Sequence, residues 1–301
     1  HRFKGDSDRR SEVCVWQGQA WKFRGYLSSI RGVVTLRDDL LIEADDLLAE
    51  RDAVIVDCRF SLADPLEGSR LYQTGHIPGA HYLDLNQDLS SPVQQQGGRH
   101  PLPDPLLLAE RLAVCGIGPT TSVIAYDDTR LAYASRLWWL MRSMGYCQPK
   151  LLNGGYRAWL EAGGVPAVGE IAVSKVATGG GSLTGFCDID GLRALQSEGC
   201  TLVDSREERR YRGLEEPIDP VAGHIPGAVN HPWQSVTDQQ GRVLSEQELR
   251  VHWGESLEAE SLVIYCGSGV TACVNLFSLA LLGRDDPVLY AGSWSDWCSR
   301  L

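Results

Sequence analysis

The chain has 301 residues, about twice the usual domain size, so its length alone predicts two domains. With 43% hydrophobic and 22% charged residues, the composition is that of a globular protein and excludes collagen, coiled coil and wholesale disorder. The net charge of -11 argues against nucleic acid as a partner, because phosphate binding relies on clustered Lys and Arg. No apolar run approaches the roughly 20 residues of a membrane-spanning helix, so we expect no membrane partner either.

The first 35 residues form an extension that is basic within an acidic protein. Arg and Lys outnumber Asp and Glu between residues 1 and 31, and the stretch lacks the apolar core of a secretory signal. We therefore separate residues 1–35 as an N-terminal extension and leave open whether it targets an organelle.

The nine cysteines are scattered along the chain and indicate a reducing environment. They include no Cys-x-x-Cys pair and no Cys/His cluster at the spacing of a zinc site. A disulfide scaffold is not expected in a chain of this length. We therefore expect free thiols and a cytoplasmic location.

A six-residue motif that occurs twice without change indicates an internal repeat. Gly75–Ala80 reads Gly-His-Ile-Pro-Gly-Ala, and so does Gly223–Ala228. Three further pairs of segments match in the same order: Val54–Arg59 with Thr201–Arg206, Ser122–Tyr126 with Ser261–Tyr265, and Leu151–Tyr156 with Val288–Trp294. Landmarks that keep their order and spacing indicate a duplicated domain.

Short β-branched strands alternate with helical patterns in both repeats. Strands are predicted at Ala53–Val56, Ser122–Tyr126 and Leu262–Tyr265, and helices at Ala134–Met144 and Val270–Leu282. This alternation predicts an α/β fold, with a mainly parallel sheet flanked by helices in each domain. We place the two domains at residues 36–165 and 183–301 and a Gly-rich linker at 166–182.

The loops that follow two matching strands differ between the repeats. The strand ending at Tyr265 leads into Cys266-Gly-Ser-Gly-Val-Thr-Ala272, whereas its counterpart leads into Asp127-Asp-Thr-Arg130. Functional residues of parallel sheets gather where strands end, so Cys266 is the candidate nucleophile. Small residues after it allow backbone N–H groups to face an anion, and the following helix adds the positive end of its dipole. Both effects favour a thiolate.

A phosphatase is disfavoured by the same loop. Cysteine-dependent phosphatases close such a loop with an arginine, whose fork binds the phosphoryl oxygens. Ala272 stands at that position here, and no residue of the loop is cationic.

The Asp-x-Arg turn at Asp204, the repeated His-Ile-Pro-Gly-Ala motif and the single-cysteine loop resemble the two-domain sulfurtransferases of the rhodanese superfamily. The resemblance covers residues 36–301, and Cys-Gly-Ser-Gly-Val-Thr is similar to the loop of the 3-mercaptopyruvate type. It implies that sulfur passes from 3-mercaptopyruvate, through a persulfide on Cys266, to a small thiol, cyanide or a reduced protein thiol. Pyruvate is released, and no metal or organic cofactor is implied.

The same resemblance assigns roles around the cysteine. Backbone N–H groups would hold the persulfide at Gly267, Gly269, Val270 and Thr271. Ser268 would relay or stabilise a proton on the substrate, and Arg210 would bind its carboxylate. His76 is a possible helper from the first domain, although its repetition as His224 favours a structural role for both.

One position departs from the family pattern and leaves the substrate open. Asp219 stands where a second arginine often follows Arg210, so carboxylate binding by two arginines is in doubt. Arg130, in the first repeat, is a candidate replacement from across the cleft. Two alternatives therefore stay open: a thiosulfate:cyanide sulfurtransferase of the same fold, and a non-catalytic sulfur-carrier or regulatory module.

Overall fold

The computed structural model describes residues 36–169, 171 and 175–301 and gives each repeat its own five-stranded sheet. The first repeat contains α1 (Leu36–Leu40), β1 (Leu41–Ile42), α2 (Ala44–Ala49), β2 (Val54–Asp57), α3 (Glu67–Thr74), β3 (His81–Tyr82), α4 (Pro105–Val114), β4 (Val123–Tyr126), α5 (Ala134–Ser143), β5 (Lys150–Leu152) and α6 (Gly155–Glu161). The second contains β6 (Phe186–Cys187), α7 (Ile189–Ser197), β7 (Thr201–Asp204), α8 (Glu208–Tyr211), β8 (Val229–Asn230), α9 (Glu246–Trp253), β9 (Leu262–Tyr265), α10 (Ala272–Leu281), β10 (Val288–Tyr290) and α11 (Ser293–Cys298), with 3-10 helices at Trp233–Val236 and Gly254–Glu258. None of these helices is long and apolar enough to cross a membrane.

The two sheets have the same topology, which matches the repeat found in the sequence. Their strand orders are β1-β5-β4-β2-β3 and β6-β10-β9-β7-β8, and every pairing is parallel. The loops after β4 and β9 therefore lie at equivalent edges of their sheets. The prediction of two tandem α/β domains with parallel sheets flanked by helices is confirmed.

The predicted elements agree with the observed ones to within two residues. Strand β9 has the predicted limits, whereas the predicted helix at Val270 begins only at Ala272. The turn before it is closed by shorter-range bonds, from the Cys273 N–H to the Val270 carbonyl (3.0 Å) and from the Val274 N–H to the Thr271 carbonyl (3.1 Å). Such bonds are typical of a tight first turn.

One apolar core is shared by the two repeats and sets helix α5 against helix α10. Nearly all side chains of α5 and all of those of α10 are buried, as expected of helices that are covered on every face. The rings of Trp138 and Phe277 meet edge to face, with centroids 5.1 Å apart. The first repeat thus packs directly on the helix that follows the cysteine loop.

The structure describes none of the predicted extension and only part of the predicted linker. Residues 1–35 are outside the described residues, as are 170 and 172–174 of the linker. Ala167 pairs with His76 in an antiparallel bridge, with N···O distances of 2.9 and 3.0 Å. The start of the predicted linker is therefore attached to the first repeat, and the domain limits stay predictions.

Candidate active site

Cys266 directly follows strand β9 and is buried, with 1% of its surface exposed. The start of helix α11 holds its backbone in place. The Cys266 N–H donates to Ser293 Oγ (3.1 Å), and the N–H groups of Trp294 and Ser295 donate to the carbonyls of Cys266 (3.0 Å) and Gly267 (2.9 Å). The cysteine is thus fixed at the carboxyl end of the sheet.

The loop turns at Gly269, whose φ of 75° lies in the left-handed region that favours glycine. A Cβ at this position would lie 2.4 Å from the carbonyl oxygen of Ala291, which leaves no room for any side chain. The Gly269 carbonyl accepts a hydrogen bond from Arg136 Nη1 at 2.9 Å. Two neighbouring segments therefore determine the path of the loop after Cys266.

The backbone N–H groups from Gly267 to Thr271 have no acceptor among the described residues. The equivalent loop of the first repeat indicates what such a loop can hold. There the carboxylate of Asp127 accepts four hydrogen bonds of 2.8 to 3.1 Å, from the N–H groups of Thr129, Leu131, Tyr133 and Ala134. Because Asp127 and Cys266 occupy equivalent positions, we expect an anion on Cys266 to meet a similar set of donors.

Asp127 closes the loop of the first repeat with its own side chain. It is fully buried, and burial raises its pKa to about 6, although the backbone donors act in the opposite direction. At neutral pH the first repeat therefore holds a resident carboxylate at the position where the second repeat carries a thiol.

Ser268 meets a histidine that the sequence analysis missed. Its hydroxyl lies 2.8 Å from Nδ1 of His100, a buried residue in an irregular segment of the first repeat. Burial, with smaller effects from the Arg136 and Arg99 charges, lowers the pKa of His100 to about 3. The imidazole is therefore neutral near pH 7 and can accept the Ser268 proton through Nδ1.

Two arginines approach the loop at Gly267. A Cβ on Gly267 would lie 3.0 Å from Nη2 of Arg99 and 3.6 Å from both terminal nitrogens of Arg210. The structure thus brings Arg210, predicted from the sequence, to the cysteine loop. It adds Arg99 from the first repeat, which belongs to no repeated motif and gave no signal of its own.

Both guanidinium groups are already paired with carboxylates. Arg210 Nη2 lies 2.8 Å from Glu216 Oε1 and 3.1 Å from Asp219 Oδ2, and Arg99 forms an ion pair with Asp219. Burial raises the pKa of Asp219, whereas Arg99 and Arg210 act to lower it. Glu216 also pairs with Arg206, at 3.1 Å. Because both arginines at the loop already have carboxylate partners, an anionic substrate would compete with Asp219 for them.

Arg130 crosses to the second repeat but binds a different part of it. Its Nε donates to Thr237 Oγ1 (2.8 Å), and its Nη2 donates to the carbonyls of Gln234 (2.5 Å) and Thr237 (2.7 Å). These contacts tether the 3-10 helix at Trp233–Val236. Arg130 is therefore directed to this helix, and the first-repeat arginine that reaches the cysteine loop at Gly267 is Arg99.

The structure gives His76 contacts that fit a turn-fixing role and not the helper role. Its ring is buried, donates through Nδ1 to the Tyr72 carbonyl at 2.8 Å, and stacks on the Tyr72 ring with centroids 4.0 Å apart. His224 makes the same two contacts with Tyr211. His76 thus contacts Tyr72 of its own repeat, and the histidine that contacts Ser268 is His100.

The Asp-x-Arg turns are likewise structural in both repeats. Arg206 Nη2 lies 2.7 Å from Asp204 Oδ2 and 2.6 Å from the Gly223 carbonyl, and the side chains of Arg206 and Asp204 are buried. Arg59 makes the equivalent contacts in the first repeat. Each pair ties the end of a strand to the start of the repeated His-Ile-Pro-Gly-Ala motif.

Comparison with known proteins gives consistent matches over nearly all of the described chain. The family described as the rhodanese-like domain matches it twice, over residues 41–162 and 188–300. A Pseudomonas aeruginosa protein named "Probable 3-mercaptopyruvate sulfurtransferase" is 45% identical over 258 residues, which are 82% of this chain and 89% of that protein. The thiosulfate sulfurtransferase of Rattus norvegicus is 32% identical over 259 residues, 82% of this chain and 85% of that protein. The solved structure of 3-mercaptopyruvate sulfurtransferase from Leishmania major matches with a TM-score of 0.76 at 30% identity, over 87% of this chain and 75% of that one.

Proposed function

This chain belongs to the rhodanese-like family, and on that premise we propose that it is a sulfurtransferase whose nucleophile is Cys266. It takes a sulfur atom from 3-mercaptopyruvate, releases pyruvate and passes the sulfur to an acceptor. One observation supports this most strongly: the equivalent loops hold a carboxylate at Asp127 and a cysteine at Cys266. A loop that can surround an anion with backbone donors suits a thiolate and a persulfide.

In the first half-reaction the Cys266 thiolate attacks the sulfur of the donor. The carbon–sulfur bond of the donor breaks, and its electron pair goes to the carbon. The proton of the donor thiol passes through Ser268 and the neutral His100 to that carbon, which completes pyruvate. The negative charge ends on the outer sulfur of the Cys266 persulfide, beside the N–H groups of residues 267–271.

The carboxylate of the donor is held by the two arginines at Gly267. Arg99 and Arg210 supply planar guanidinium groups from opposite repeats, and such groups bind carboxylates through charge-assisted hydrogen bonds. The donor displaces Asp219 from part of these contacts. Substrate binding thus draws on both repeats.

In the second half-reaction an acceptor takes the outer sulfur. A small thiol, cyanide or a reduced protein thiol attacks that atom, the sulfur–sulfur bond breaks, and the electron pair returns to Cys266 as a thiolate. Cyanide leaves as thiocyanate and a thiol as its persulfide. The first half-reaction needs only the cysteine and the donor, and the second needs only the persulfide and the acceptor. Neither step uses a metal or an organic cofactor.

Thiosulfate is the second candidate donor, and the paired arginines are the observation that favours it. Two cations at the loop suit a dianion, and some relatives are named thiosulfate sulfurtransferase. However, Glu216 and Asp219 neutralise both cations, which favours a donor with a single carboxylate.

Steady-state kinetics with both donors test the proposal. Pyruvate release is measured with 3-mercaptopyruvate, and thiocyanate with thiosulfate and cyanide, for the wild type, Cys266→Ser and the control Cys115→Ser, a buried cysteine of the first repeat. We expect higher kcat/KM for 3-mercaptopyruvate, no turnover by Cys266→Ser, and near wild-type turnover by the control. A clear preference for thiosulfate would make thiosulfate the donor in place of 3-mercaptopyruvate. Turnover that survives in Cys266→Ser overturns the proposal and leaves the non-catalytic alternative.

A further inference from the structure

Arg136, on helix α5 of the repeat without the cysteine, reaches the cysteine loop of the other repeat. Its side chain is fully buried, and Nη1 donates to the Gly269 carbonyl at 2.9 Å. Nη2 donates to the carbonyls of Leu89 (3.4 Å) and His100 (3.3 Å). All three acceptors are uncharged, so these hydrogen bonds leave the positive charge of the guanidinium uncompensated.

Among the described residues, no carboxylate forms an ion pair with Arg136. A guanidinium stays protonated in proteins, and a buried cation without a counter-ion carries a large free-energy cost. Burial lowers the pKa of Arg136, and the groups that act to raise it are Cys273, through its charge and a hydrogen bond, and Cys266, through its charge alone. Its Nε–H also has no acceptor among the described residues. The two cysteines are therefore the groups that can neutralise Arg136.

Of these two cysteines, Cys273 is unsuited to carry the charge. It is fully buried within helix α10, and its thiol is directed at the Gly269 carbonyl at 3.5 Å. Burial raises the pKa of Cys273 to about 12, so this residue is a neutral thiol near pH 7. Cys266 instead heads the loop of backbone donors, at the position where Asp127 is charged in the other repeat.

We propose that Arg136 is the counter-ion that keeps Cys266 a thiolate and then stabilises its persulfide. The persulfide part rests on the proposed function, whereas the thiolate part does not. Among the described residues, the other charged or titratable groups around the loop include the neutral Cys273 and His100 and the paired Arg99, Arg210, Glu216, Asp219 and Asp296. Arg136 is thus the positioning residue that the cysteine-lacking repeat contributes to the nucleophile.

Alkylation of Cys266 measures this role without any sulfur donor. The rate of its reaction with iodoacetamide is followed across a pH series by mass spectrometry of the Cys266 peptide, which separates it from the other thiols. Arg136→Gln is neutral but keeps donors for the carbonyls, whereas Arg136→Lys keeps the charge and loses the planar fork. Arg142→Gln is the matched control, since Arg142 lies on the same helix but donates to the Asp285 carbonyl.

We expect Arg136→Gln to raise the midpoint pH of Cys266 alkylation by about one unit or more, which slows the reaction about tenfold at neutral pH. Arg136→Lys should raise it by about half a unit, because an ammonium lies less close to the loop, and Arg142→Gln should not change it. An unchanged midpoint in Arg136→Gln overturns the proposal. The proposal is also overturned if the midpoint rises in Arg136→Lys by as much as in Arg136→Gln, or by more. If Arg136→Gln does not fold, the smaller rise in Arg136→Lys supports the proposal and its absence overturns it. Because the alkylation assay uses no sulfur donor, it tests the role of Arg136 even if the proposed sulfur transfer is wrong.

Discussion

Arg99→Ala removes a cation that the first repeat supplies to the donor site, and we expect it to weaken donor binding selectively. In the wild type, Arg99 and Arg210 balance Glu216 and Asp219. Without Arg99 the cluster loses one positive charge, and Asp219 keeps Arg210 as its partner at 3.1 Å. An anionic donor therefore loses its contact with Arg99, and it competes with Asp219 for the one arginine that remains, Arg210.

The expected loss follows from the contact that disappears. A hydrogen bond to a charged group contributes about 1.5 to 3 kcal/mol net, and about 1.4 kcal/mol changes a rate constant tenfold. Loss of one such contact therefore predicts a kcat/KM that is roughly 10- to 100-fold lower. Most of this change should be in KM, since the carboxylate is bound equally before and during the reaction. Thiosulfate, with two charges, should lose more than 3-mercaptopyruvate.

Steady-state kinetics on matched arginine variants test this prediction. Arg209 lies on helix α8 beside Arg210, but its side chain is 70% exposed and paired with Glu215, so Arg209→Ala should change KM by less than about twofold. Arg99→Lys keeps the charge without the planar fork and should fall between the wild type and Arg99→Ala. A wild-type KM for both donors in Arg99→Ala would refute the reasoning, as would an equal loss in Arg209→Ala.

Three further predictions concern the proton relay and the two anion-binding loops. Ser268→Ala removes the hydroxyl that bonds His100, so kcat should fall by roughly 100-fold or more with little change in KM; an unchanged kcat would exclude the relay. His100 is neutral in the folded protein and titrates near 6.5 when unfolded, so the stability it contributes is present above that pH and is lost as the pH falls toward about 3. The free energy of unfolding, measured with urea at about pH 7.5 and about pH 5, should therefore drop by roughly 2 kcal/mol more in the wild type than in His100→Asn, and equal drops would contradict this. Asp127→Ala leaves four N–H groups without their acceptor and should lower the free energy of unfolding by about 2 to 4 kcal/mol, more than Asp127→Asn, which keeps one acceptor oxygen; equal losses in urea titrations would show that these bonds do not stabilise the loop.

The duplicated frame could be predicted because each of its landmarks is local in the chain. Strand β9 and the start of the loop at Cys266 follow from a short β-branched run and a Gly-rich turn. The contrast between Cys266 and Asp127 also follows from alignment of the two repeats. The four hydrogen bonds to Asp127 do not, because they depend on how the backbone of the loop turns.

The rest of the candidate site depends on contacts between the two repeats. His100 lies 168 residues before Ser268, and Arg136 lies 133 residues before Gly269, and neither belongs to a repeated motif. Residue type alone made Arg130 as good a candidate as Arg99. Only the packing of α5 on α10 and the path of the segment before His100 decide which side chains reach the loop.

The central proposal is tested most directly by measuring, with mass spectrometry, whether Cys266 carries an additional sulfur atom. The protein is incubated with 3-mercaptopyruvate without an acceptor, blocked with an alkylating agent and digested for mass spectrometry. We predict that the peptide containing Cys266 gains the mass of one sulfur atom and loses it again when cyanide is added before the block. A peptide that gains no sulfur, or a sulfur carried by Cys273 and not by Cys266, would contradict the proposed mechanism.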